Sequence, residues 1–392
     1  MLSRPTGSNP DTISDRLHLN AIGDLGMERG RARDLGVVIG TYPTGPLNAI
    51  TDVQGVRVGH ATVVRDPSPD GAGAVRTGVT AVFPHEGLPW IERVYAGTNV
   101  LNGFGEMIGT NQIAEWGLLH SPIVLTSSLA IGRAYDATVR WRTLRHHTTT
   151  HEGGDMPVVA ECDDSFLNDV TTFPLADEDV FEALDGARAG PVAEGCVGAG
   201  TGTQCMDFKG GMGTASRVVP GGWTVGAVVQ TNFGERELLR IDGVPVGREI
   251  TDLMPQEHRE GSAIVVVATD APMVPHQVRR LAARGGLGLG RIGSTGHNGS
   301  GELMIAFSTA NRIPLSSGDG TVTVRAVLDG PSPGSPDVFN PLFAATVEAV
   351  EEAVVNALFT AETMVGRDGH VLHALPLDRT VEILAQHGRG PR

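Results

Sequence analysis

The 392-residue sequence predicts a layered α/β or α+β body. Apolar runs of strand character alternate with helical stretches along the whole chain. No fixed-period repeat is present, and no linker divides the chain except the polar loop before Ser262. Strands and helices that each carry an apolar face must cover one another, and layers are the stable way to do so.

Residues 1–40 read as an irregular arm, polar and mixed in charge, with ordered structure beginning near Gly40. The first strand covers 56–64, where apolar and polar residues alternate. Further strands are predicted at 78–83, 123–126, 157–160, 225–231, 263–268, 303–308 and 321–328. Helices fall at 108–116, 136–145, 178–188, 276–284 and 341–365. In the last of these Val347, Val350, Val354 and Leu358 stand at i, i+3, i+7 and i+11, so one face is buried while Glu348, Glu351 and Glu352 point elsewhere. Asn340 before Pro341 suits a helix start, and Gly366 suits its end.

Composition excludes several classes. The formal charge of −15, with no Lys/Arg run, argues against a nucleic-acid partner and fits solubility and attraction of cationic small molecules. The 53 glycines are roughly twice the usual share without a collagen period, which indicates tight turns and many loops. Cys162, Cys196 and Cys205 lack CxxC spacing, so neither a disulfide framework nor a zinc ribbon is indicated, and a reducing, cytoplasmic setting is expected. No signal-peptide core lies in the first 30 residues and no uncharged apolar run approaches membrane-spanning length, so export and a membrane partner are disfavoured.

One dipeptide stands out chemically. Between Gly261 and Ser262 a polar, breaker-rich loop passes straight into the apolar run 263–268. A serine hydroxyl is a poor nucleophile without a base, and a freed α-amine on the same residue, with pKa about 8, could be that base. Cleavage between Gly261 and Ser262 would supply it, and glycine before the scissile bond can take up distorted backbone geometry. Taken alone, the pair reads as no more than the end of a loop.

Five segments in order carry a wider resemblance. They are Gly45-Pro46-Leu47-Asn48-Ala49-Ile50-Thr51-Asp52-Val53 with Gly55-Val56-Arg57-Val58-Gly59-His60; Asn102-Gly103-Phe104-Gly105-Glu106-Met107; Phe208-Lys209-Gly210-Gly211-Met212-Gly213-Thr214-Ala215-Ser216-Arg217; 261–272; and Ala306-Phe307-Ser308-Thr309-Ala310-Asn311. Across residues 40–375 the chain resembles the L-aminopeptidase/D-esterase (DmpA-like) family, which includes β-aminopeptidases and is related to nylon-oligomer hydrolases. The resemblance implies an αββα sandwich and a self-cleaving precursor, with residues 41–261 as the α chain and 262–392 as the β chain. It also implies a tetramer of cleaved units, a homo-oligomer, and no metal or organic cofactor.

It further implies roles for particular residues. Ser262 is the nucleophile, and Asn232, by its residues alone a turn asparagine before Phe233-Gly234, holds the oxyanion. Ser300 and Glu302 flank the nucleophile, the carboxylate holding the α-ammonium with Ser300 bridging. Glu161 anchors the free amine of a small peptide, amide or ester substrate. Where the family shows Glu-Thr-Tyr-Asp this chain has Glu161-Cys162-Asp163-Asp164, so Asp163 replaces an expected tyrosine and predicts a more acidic amine pocket.

Other signals are weaker. Gly288-Leu289-Gly290-Arg291-Ile292-Gly293 matches GxGxxG, but it trails the helix 276–284 and is expected to shape the wall of the hydrolytic site rather than bind a dinucleotide. His146, His147, His151 and Glu152 match no zinc spacing and read as a solvated segment. His60 reads as structural, and Lys209 as part of a turn near the active site. Rival readings are a nylon-oligomer-type amide hydrolase, an acyltransferase of the ornithine-acetyltransferase kind, which usually presents threonine, and an uncleaved non-enzymatic scaffold.

Overall fold

The computed structural model describes residues 27–68, 73–146, 156–257, 261–330 and 333–390. In chain order its elements are β1 (Arg57–Arg65), β2 (Val75–Phe83), β3 (Glu92–Gly103), β4 (Met107–Ile108), α1 (Thr110–Trp116), β5 (Leu118–Leu119), β6 (Ile123–Ser127), α2 (Ile131–His146), β7 (Val158–Cys162) and α3 (Asp177–Asp185). There follow β8 (Gln204–Cys205), β9 (Phe208–Lys209), β10 (Met212–Val218), β11 (Thr224–Asn232), α4 (Val246–Glu249), β12 (Ser262–Thr269), α5 (Pro275–Ile292), β13 (Gly301–Pro314), α6 (Phe339–Thr360), the pair β14 (Met364–Val365) and β15 (Val371–Leu372), and α7 (Leu377–Gln386).

Two sheets carry the fold, one in the order β1-β2-β6-β7-β4 and one in the order β10-β11-β12-β13-β3-β5. The residues of β12 show why they stack. Ala263, Val265 and Val267 enter a core shared with Leu281 of α5 and Val350 of α6, whereas Ile264, Val266 and Ala268 enter a core shared with Ile123, Leu125 and Ala160 of the other sheet. Burial on both faces is why this strand reads as an unbroken apolar run instead of an alternation. A third core packs Val79, Ala81 and Val124 of the first sheet against Ala134 and Trp141 of α2 and Val180 of α3. The layers therefore run helix, sheet, sheet, helix, an αββα sandwich. Each buried Val or Ile side chain contributes about 1.5–3 kcal/mol, an upper bound because denatured chains already bury part of that surface.

Several expectations need correction. Glu348, Glu351 and Glu352 of α6 are buried, not turned to solvent. Arg217 meets Glu348 at 3.1 Å and Glu352 at 2.5 Å, Arg33 meets Glu352 at 2.8 Å, and Arg291 meets Glu351 at 2.9 Å. Helical periodicity could not register this, because these arginines come from a preceding strand, a neighbouring helix and the segment before Gly40. That segment is irregular yet packed: Ala32 and Ile39 are fully buried, and Arg31 donates to Leu47 O, Asn48 O and Thr214 O.

The region 321–328 forms no strand. The side chain of Asn311 takes both backbone groups of Arg325, donating to its carbonyl at 2.9 Å and accepting its N–H at 2.9 Å, where a ladder partner would otherwise stand. Helix α6 stops at Thr360, short of Val365. Helix α5 runs to Ile292, so Gly288 to Ile292 lie inside it. Those glycines do not wall the active site. A Cβ on Gly288 would lie 2.7 Å from Val350 Cβ, so the glycine permits close contact between α5 and α6. His146 ends α2 against the rings of Trp90 and Trp141, while His147, His151 and Glu152 lie outside the described residues. His60 is held by Thr80 Oγ1 at 2.9 Å, and burial lowers its pKa to about 4, as suits a neutral structural imidazole. No helix among the described residues is long and apolar enough to cross a membrane.

Candidate active site

Three adjacent strands bring the predicted residues together. Ser262, the first residue of β12, stands opposite Asn232 on antiparallel β11 and opposite Gly301 on parallel β13. The Gly261 carbonyl accepts the Gly301 N–H at 3.1 Å. Gly261 is required here by space and not by a left-handed φ, since a Cβ would fall 1.6 Å from the carbonyl oxygen of Asn232. Gly261→Ala should force the ends of β11 and β12 apart at a cost of roughly 1–3 kcal/mol and draw Ser262 away from Asn232. The expected result is a lowered Tm together with slower hydrolysis; wild-type values of both would refute the steric account.

Side-chain alternation along β12 puts Ser262 on the same face as Ile264 and Val266, between the two sheets. Its Oγ is buried, with no nitrogen or oxygen partner among the described residues, and the Cys162 thiol is its polar neighbour. Cys162 lies on the facing strand β7, and burial holds its thiol well above the usual range, so it stays protonated and unreactive. Asn232 is oriented by one bond: its Oδ1 accepts the N–H of Gln204 at 3.0 Å. Only the oxygen of an amide can meet an N–H, so the Nδ2 donors are turned the other way. A small pocket is lined by Asn232, Gln204, Gly202, Gly261, Phe233 and Asp163. An oxygen acquiring negative charge next to Gly261 would find an amide donor at hand there.

The pair Ser300 and Glu302 sits beside this point. Ser300 Oγ donates to Glu302 Oε1 at 2.5 Å, and Asn102 Nδ2 donates to the carbonyls of Ser300 and His297. Glu302 is buried, and its Oε2 has no hydrogen-bond partner among the described residues. Burial raises its pKa, with the Ser300 hydroxyl pulling the other way. Ala263 is directly opposite Glu302, so the Ser262 backbone nitrogen lies one step away in the register.

Glu161 lies within β7, not beyond its end, and is buried. Its Oε1 accepts the Glu106 N–H at 3.0 Å and its Oε2 accepts the Ser128 hydroxyl. Burial raises its pKa, and these two donors oppose the rise. Asp163 lines the small pocket, but its carboxylate also accepts the N–H of Ser165 at 3.0 Å and the Ser165 hydroxyl at 2.8 Å. Sequence reasoning did not single out Ser128, Gln204 or the Asp164 carboxyl, which accepts from Ser127 Oγ and Asn168 Nδ2 and is raised by burial to about 6. The one available signal was Ser127-Ser128 at the end of a strand that runs parallel to the one bearing Glu161.

Comparison with known proteins places this geometry in company. Peptidase family S58 matches residues 48–372. The chain is 41% identical over 387 residues to the β-peptidyl aminopeptidase BapA of Sphingosinicella microcystinivorans, covering 94% of this chain and 95% of that protein. Among solved structures, a β-aminopeptidase from Burkholderia sp. superposes with a TM-score of 0.84 at 42% identity, covering 92% of this chain and 99% of that one. An L-aminopeptidase D-Ala-esterase/amidase from Ochrobactrum anthropi, described as a variant of the Ntn hydrolase fold, superposes with a TM-score of 0.83 at 45% identity over 92% of this chain and 99% of that one.

Proposed function

This chain belongs to peptidase family S58 and is a hydrolase of the aminopeptidase kind, and from that premise we propose that it matures by cutting its own Gly261–Ser262 bond and then works through the serine so exposed. The observation that carries the reading is the buried Ser262 hydroxyl, without a nitrogen or oxygen partner among the described residues, set next to Gly261 and opposite Asn232, while Glu302, one of whose carboxylate oxygens is also unpaired there, stands opposite the adjoining Ala263. A buried carboxylate oxygen without a donor is costly, and a liberated α-ammonium would satisfy it.

In maturation Ser262 Oγ attacks the Gly261 carbonyl, the peptide nitrogen leaves as the new α-amine, and water hydrolyses the resulting ester to free the Gly261 carboxylate. In turnover the same oxygen attacks the substrate carbonyl while the α-amine takes its proton and returns it to the leaving group. Asn232 holds the oxyanion, and Glu302 with Ser300 holds the amine in place. Water then releases the acyl group; an acceptor amine in its place would give aminolysis. The relatives are named as a β-peptidyl aminopeptidase, a β-aminopeptidase and an L-aminopeptidase D-Ala-esterase/amidase, and an aminopeptidase acts on a residue whose amino group is free, an ammonium one or two carbons from the scissile carbonyl. Small peptides, amides and esters with that ammonium are the proposed substrates, with Glu161 as its anchor and Asp163 adding negative charge nearby. The exposed side chains of Leu101 and Leu287, where β3 meets α5, suit assembly of cleaved units into a homo-oligomer.

Denaturing electrophoresis with N-terminal sequencing tests maturation. Fragments spanning 1–261 and 262–392, the smaller beginning Ser-Ala-Ile, are expected; a single 41.1 kDa band from active protein would sink the scheme. The amine anchor is tested separately. Glu161→Gln should raise KM at least about tenfold for free-amine substrates, since a buried charge pair is lost, and should leave the slow turnover of N-acetylated analogues unchanged. Equal effects on both substrate types would remove Glu161 from that role.

A further inference from the structure

Lys209 remains unexplained by the proposed chemistry. It is fully buried in β9, and its Nζ donates to Gly200 O at 3.0 Å, Thr203 O at 3.0 Å and Gly210 O at 2.7 Å. Three carbonyl acceptors need three N–H donors, and only the ammonium form of lysine has three. A full positive charge is therefore held in the interior by carbonyl dipoles, against the pull of burial, which lowers its pKa. Holding a charge there is costly, so where it is directed matters.

Its path leads to the site. The Thr203 carbonyl that Lys209 grips and the Gln204 N–H that orients Asn232 Oδ1 belong to one and the same peptide group. The hairpin makes the arrangement rigid: Gln204 and Lys209 stand directly opposite each other, joined through Met206 at φ 51° and Asp207 at φ 57°, the left-handed pair of a two-residue turn. Hydrogen bonds in series polarise one another, most strongly where water is excluded. An ammonium on the carbonyl end makes the N–H end a better donor. That N–H draws electron density toward Asn232 Oδ1, which makes the Nδ2 hydrogens more positive toward the pocket shared with Gly261.

We propose that Lys209 is a positioning residue for the oxyanion donor, fixing and polarising the Asn232 side chain through the Thr203–Gln204 peptide group. The proposal rests on the reading of Asn232 given above. It accounts for the burial of a lysine whose neighbours Gly210 and Gly211 suggested only a turn.

A double-mutant cycle on the full chain tests it, using kcat and KM for a free-amine aryl amide, with rates normalised to the cleaved fraction found by mass spectrometry. Where a variant cleaves itself too slowly to yield mature enzyme for kcat, the rate of self-cleavage followed over days replaces kcat in all four members of the cycle, since it needs the same oxyanion donor. Lys209→Met should lower kcat about tenfold or more while KM stays within about threefold, a fraction of the roughly 10²–10³-fold effect of losing an oxyanion donor outright. In the Asn232→Ala background the same change should cost less than about threefold, because the group it acts through is gone. Wild-type kcat in Lys209→Met, or the same factor in both backgrounds as a merely structural role would give, overturns the proposal. If Asn232→Ala alone lowers kcat and the two losses multiply, only the relay through Lys209 fails; if Asn232→Ala leaves kcat intact, the oxyanion reading fails with it. Should Lys209→Met not fold, Lys209→Gln, which removes the charge and keeps two donors, carries the same cycle.

Discussion

Ser262→Ala is expected to yield one uncleaved chain of 41.1 kDa with hydrolysis lowered roughly 10⁴-fold or more. In the proposed scheme the same hydroxyl attacks in maturation and in turnover, so its loss would remove both events at once. The fold should survive, because Ser262 Oγ has no nitrogen or oxygen partner among the described residues to strand, and its neighbour, the Cys162 thiol, is only a weak hydrogen-bonding group. Unchanged thermal unfolding with abolished cleavage is therefore the informative combination. Two fragments from the alanine variant, or hydrolysis near the wild-type rate, would show that another group is the nucleophile.

The second large effect belongs to Asn232. Asn232→Ala should lower kcat roughly 10²–10³-fold with little change in KM, because a donor aimed at developing negative charge acts in the transition state and hardly at all on bound substrate. Asn232→Asp is the sharper probe. A carboxylate has the same shape and still accepts the Gln204 N–H, but it offers no donor at neutral pH and places negative charge beside the oxyanion. The aspartate variant should fall at least as far as alanine. Activity close to wild type in the aspartate variant would mean that the side chain shapes the pocket without stabilising charge.

Much of this arrangement was legible in the chain. The strands 225–231 and 263–268 were readable because apolar runs bounded by breakers are local features, and the structure has β11 and β12 there. Gly261-Ser262 drew notice because a small residue and a lone hydroxyl precede a buried strand. Less could be read where the deciding partner is remote. Thr321 to Leu328 has the composition of a strand, yet the amide of Asn311 takes its backbone groups. Glu348 and Glu352 look like the outer face of a helix until Arg33 and Arg217 cover them. The glycines after Arg284 imitate a nucleotide loop, and in the fold they continue a helix packed tightly on its neighbour.

By itself, then, the sequence determined the type and order of most elements, because periodicity and turn chemistry act over a few residues, and its resemblance to a family nominated Gly261-Ser262 and the residues proposed here to carry chemistry. The tertiary structure alone decided which of them meet. Sheet register put Asn232 and Gly301 on either side of Ser262, parallel pairing of β6 with β7 brought Ser128 to Glu161, and a two-residue turn set Lys209 opposite Gln204. Side-chain direction in a sheet reverses with each residue of register, so no reading of one strand alone could have assigned those neighbours.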